Sequence, residues 1–86
     1  MLRIDLVYEE DDAQTAAVRA SLRDALHMLD MAPRWNEVRA SAGPLPPVIA
    51  AAPRPTVVVE GELVGSGGPP SRAQILMKLQ DALSWR

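Results

Sequence analysis

Arg54-Pro55-Thr56-Val57-Val58-Val59-Glu60-Gly61-Glu62-Leu63-Val64 decides the architecture of this chain. Thr56 to Glu60 opens on an unbroken β-branched run, the side-chain type that fits a pleated, half-buried surface. Gly61 supplies a tight turn, and Glu62-Leu63-Val64 returns as a short antiparallel partner. The stretch reads as a hairpin. Beyond it, Gly65-Ser66-Gly67-Gly68-Pro69-Pro70 is loop. Ser71 and Gln74 then have capping-box spacing, and Ile75, Leu76, Leu79, Ala82 and Leu83 mark the apolar stripe of a helix ending near Trp85.

Upstream, Ser41 to Pro55 carries five of the eight prolines. A disordered linker would have this composition. Pro46-Pro47-Val48-Ile49-Ala50-Ala51-Ala52 also suits a short helix with proline in its first turn, and that reading is preferred. Trp35 to Ala40 is a weakly patterned strand suited to a sheet edge. From Ala13 to about Met31 the period is helical, with Val18, Leu22, Ala25, Leu26 and Leu29 on one stripe. Arg19 and Arg23 fall on its outer side. Asp11 with Gln14 fits an Asp form of the capping box, and Pro33 forbids continuation. Leu2 to Tyr8 alternates and then turns apolar at Leu6 and Val7, as a strand buried at its far end does. The acidic run Glu9-Glu10-Asp11-Asp12 ends it. No internal repeat is present, and the order is β-α-β-(α)-β-β-α.

The totals limit what such a chain can be. Eighty-six residues make one domain, spanning 1–86, which buries roughly 60–65% of its unfolded surface. With 48% apolar residues but no Phe, the core must be aliphatic. A net charge of −2 offers no basic field for a phosphate backbone, so no nucleic-acid partner is expected. The absence of Cys removes disulfides, thiolate ligands and thiol nucleophiles together. A single histidine, His27, cannot build a His-rich metal site or a triad, and reads as a surface or boundary residue. No apolar run approaches the ~20 residues of a membrane span, and Asp5 interrupts any signal-peptide core, so a cytoplasmic protein without membrane contact is expected.

Several of these residues resemble the thioredoxin-like superfamily, the small thioredoxin and glutaredoxin domains. Pro55-Thr56 before Val57-Val58-Val59 looks like the family's Pro-Thr step into an apolar strand. Val64-Gly65-Ser66 looks like its Val-Gly-Ala step after the fourth strand, and the opening strand ending in Tyr8 is also similar. The resemblance spans nearly the whole chain in order and is most specific from Pro55 to about Leu83. It implies an α/β fold, a four-stranded mixed sheet flanked by helices, and a cis bond before Pro55. It also implies that the first helix's N-terminus, the Pro55 loop and the Gly65–Gly67 loop share one surface. The departure is that the family's Cys-x-x-Cys window is here Asp11-Asp12-Ala13-Gln14-Thr15-Ala16. An Asp carboxylate can use the helix N-terminus that would stabilise a thiolate, but it cannot do redox chemistry.

Each candidate site has a plain structural alternative. Glu9 to Asp12 could hold a cation through oxygen, yet consecutive extended residues point to opposite faces, and a solvated strand end with a helix cap accounts for them. The Gly65–Gly68 loop lacks a Gly-Lys-Ser/Thr ending, and Pro69 and Pro70 remove donors an anion would need. Ser66 lacks a Gly-x-Ser-x-Gly elbow. Trp35 and Trp85 could be interface anchors or covers for the sheet's ends. Asp11, Asp12, Arg54, Pro55, Thr56 and Ser66 would line a shallow groove able to take a peptide or a glutathione-like ligand, unless Pro55 is only a conformational staple. No catalytic residue, metal or cofactor is assigned. The expected function is a non-catalytic domain that binds a protein partner or its own copy. A small-ligand protein using the groove, or an accessory subunit of a redox system, is the alternative.

Overall fold

The computed structural model describes residues 2–65 and 68–84. Among the described residues, four strands and three helices follow one another as β1 (Ile4–Tyr8), α1 (Ala13–Met28), β2 (Asn36–Arg39), α2 (Pro47–Ala50), β3 (Thr56–Val59), β4 (Glu62–Val64) and α3 (Arg72–Leu83), with a 3₁₀ turn at Ala40–Ala42 after β2. The strands form one mixed α/β sheet in the order β2-β1-β3-β4. β1 runs parallel to β2 and antiparallel to β3, and β3 is antiparallel to β4.

Alternation along the strands assigns each side chain to a face. Ile4 and Leu6, with Val57, Val59 and Val64, join Val18, Leu22, Ala25 and Leu26 of α1 and Ile75 and Leu79 of α3 in one aliphatic cluster. The opposite face carries Val7 and Val58, also buried. There α2 has no buried residue of its own, and the proline-rich segment closes only part of that face. A groove of about 730 Å³ remains over Val7, Val38 and Val58, walled by Leu45 and Ile49. All four residues of β3 are buried, as its uninterrupted apolar run requires of a central strand covered on both sides.

Two local expectations are corrected. The N-cap of α1 is Asp12, whose side chain accepts from the Thr15 N–H at 3.0 Å; Asp11 and Gln14 do not form the box. The helix stops at Met28, short of Met31, and Pro33 is not the cause. Asp30 adopts φ 56°, its N–H bonds the His27 carbonyl at 3.0 Å, and the Met31 N–H bonds the Leu26 carbonyl at 2.9 Å. These two bonds around a left-handed residue are a Schellman closure, made with Asp where glycine is usual. Arg19 lies on the outer side of α1, with its side chain 21% exposed because it is drawn into ion pairs. The box at Ser71 and Gln74 forms as spaced, and the short helix replaces the linker alternative.

Candidate functional site

Where β1 ends, Glu9 and Glu10 lead the chain outward before Asp12 starts α1. Thr15, one turn into the helix and almost wholly buried, donates its hydroxyl to the Glu10 carbonyl at 2.7 Å. Asp12 and Thr15 thus tie the acidic loop to the helix from both sides. Facing them is the segment before β3, with a cis Arg54–Pro55 peptide. Glu9, Glu10, Asp12, Thr15, Arg54 and Pro55 line a cleft of about 170 Å³ between the two.

The electrostatics of this cleft follow from how each charge is used. The N–H of Thr15 is the main cause holding the Asp12 carboxyl below its usual range. The helix N-terminus already has its anion. Arg54 is turned inward: its Nη1 and Nη2 donate to the carbonyls of Ala52 at 2.9 Å and Ala50 at 3.1 Å, closing the end of α2. Its Nε is buried without a hydrogen bond, with Glu9 Oε2 at 3.9 Å. Three acidic residues thus line the cleft beside a single guanidinium largely committed to backbone carbonyls.

Some of the sequence-derived site residues meet here and others do not. Asp12, Arg54 and Pro55 are brought together. Asp11 turns away and bonds Arg19 Nη1 at 2.6 Å. Thr56 is buried behind the cleft and lines a separate depression with Leu63 and Gly65. Ser66 and Trp85 lie outside the described residues. Asp11 parts from the other three acidic residues, and among the described residues no three His, Asp or Glu side chains come together as metal ligands do. His27 is exposed near the end of α1. Thr15 and the carbonyl of Glu10 were missed as parts of the site; the Asp-x-x-Thr spacing from Asp12 was the available signal.

Beside the cleft, Arg19 gathers a second set of charges. It grips Glu37 of β2 with Nε at 2.8 Å and Nη2 at 2.9 Å while holding Asp11, and its guanidinium lies 5.6 Å from the Tyr8 ring centre. Trp35 Nε1 donates to the same Glu37 carboxylate at 3.1 Å. Arg19, and secondarily Trp35, holds the Glu37 carboxyl below its ordinary range. Trp35 packs against the core while anchoring this network.

No family model, no curated protein and no solved structure matches this chain. The functional reading rests on the site itself.

Proposed function

We propose that this chain is a thioredoxin-like domain without thiol chemistry, which receives an extended, basic segment of a protein partner in the cleft between Glu9–Asp12 and Pro55. The carrying observation is the cleft: the start of α1 and the loop before β3 face one another across it, and three acidic residues, Glu9, Glu10 and Asp12, are among those that line it. The strand order and the three-helix arrangement support the family likeness. With Asp12 already serving the helix N-terminus, a second anion would be repelled. A backbone N–H or a Lys or Arg side chain would meet Glu9 and Glu10 favourably.

Size separates this reading from the small-ligand alternative. About 170 Å³ is well below the roughly 300–1,000 Å³ of a pocket that encloses a metabolite, whereas a peptide needs only a shallow track. The reading assigns no catalysis, and a redox accessory role would act by docking alone, since no mixed disulfide can pass through a Cys-free chain.

Peptides selected from a random display library against the folded domain are expected to be rich in Lys and Arg and to lose binding to a Glu10→Lys variant. Glu10 holds Thr15 through its carbonyl, so this substitution leaves the loop's own bond in place. A library that yields no binder, or binders indifferent to Glu10→Lys, overturns the proposal.

A further inference from the structure

β2 is a margin of the sheet, paired with β1 on one side only. Among the described residues, no backbone hydrogen bond outside the ladder ends on Asn36–Arg39. Its outward N–H and C=O groups are a template for another strand. The charges on this strand indicate which. Glu37 and Arg39 are two residues apart and share the face that carries their β1 neighbours Leu6 and Tyr8. Glu37 is held rigidly by Arg19 and Trp35, and the Asp11–Arg19–Glu37 group carries one surplus negative charge. Arg39 lies 5.7 Å from the Tyr8 ring centre and joins none of the ion pairs formed among the described residues.

We infer that β2 pairs antiparallel with β2 of a second copy of this chain, with Val38 opposite Val38 on the two-fold axis. Glu37 of each copy then faces Arg39 of the other, and the symmetry makes both contacts at once. Val38, half-buried beside Val7 on the other face, is covered by its symmetry mate. Alternative registers are worse. Centring on residue 37 or 39 sets like charges face to face, and a one-residue slip leaves Glu37 opposite Val38. The pattern is complementary to itself, so it names a second copy as the occupant. The four strands of each copy become one eight-stranded sheet. This association uses no residue of the cleft and stands or falls separately from it.

Sedimentation equilibrium from micromolar to millimolar protein tests it. The wild-type chain is expected to shift from monomer to dimer with concentration. Arg39→Glu breaks no ion pair within the monomer and is expected to weaken association about tenfold, since both cross-strand pairs become repulsive. Circular dichroism checks that the variant stays folded. Mixing Arg39→Glu with Glu37→Arg restores opposite charges at both contacts and is expected to return the dimer as a heterodimer. A wild-type chain that remains monomeric, an Arg39→Glu variant that associates as the wild type does, or two folded variants that fail to pair when mixed would each overturn the inference. Should Glu37→Arg not fold, the wild-type and Arg39→Glu curves decide alone.

Discussion

Arg19 joins two distant carboxylates, Asp11 ahead of α1 and Glu37 on β2, and so fixes how the helix sits against the sheet. Glu37→Gln should cost about 0.5–1 kcal/mol at neutral pH, the range of a partly exposed ion pair with good geometry, read as a shift in the urea midpoint. Because the folded Glu37 carboxyl titrates below its unfolded counterpart, its stabilisation is complete above the ordinary carboxylate range and is lost as pH falls through the folded value. Urea midpoints measured from neutral to acid pH should decline in that window, and Glu37→Gln should flatten the decline. Thr15→Val keeps the volume of a buried side chain and removes the hydroxyl from the Glu10 carbonyl. It should cost about 1 kcal/mol and loosen the acidic loop, with faster amide exchange at residues 9–12 as the check.

At the scale of elements, two positive-φ residues carry predictions. Asp30 closes α1 in the left-handed region, where glycine has no Cβ penalty. Asp30→Gly should raise stability by about 0.5–1 kcal/mol in a thermal melt. The β3–β4 turn places Glu60 at φ 51° and Gly61 at φ 82°, the signs a type I′ hairpin asks of its central pair. Glu60→Asn should therefore stabilise the hairpin by a few tenths of a kcal/mol, measured the same way. These turns also show what was legible beforehand. The valine run, the glycine turn and the Ser71/Gln74 box are local signals, and each formed as spaced. Asp30 was opaque, because nothing in an Asp residue announces a left-handed cap. Asp11 and Asp12 compete for one capping position, and composition cannot choose between neighbours. Pro55 and Asp12 could be placed together through resemblance, whereas Arg54's turn toward Ala50 and Ala52 depended on where α2 ended.

Across the whole molecule, the two faces of the sheet are unequally defended. One is sealed by α1 and α3 around a Phe-free cluster, where Leu22 is fully buried and Leu22→Ala should cost about 2–5 kcal/mol in denaturant melts. The other relies on a single helical turn and prolines with no buried residue in α2. Amide exchange should accordingly run fastest through residues 40–54 and slowest in β1 and β3. Among the described residues, no helix is long and apolar enough to cross a membrane.

Thr56–Val59 has one more consequence, which concerns the nascent chain. Four consecutive β-formers without charge are the composition that seeds fibrils when left uncovered. Pro53, Arg54 and Pro55 stand on one side of them, and Glu60 and Glu62 on the other. Such flanks act as gatekeepers: proline interrupts intermolecular ladders, and the carboxylates repel stacked copies. Neutralising Glu60 and Glu62 together should leave the native structure soluble yet increase turbidity during refolding from urea.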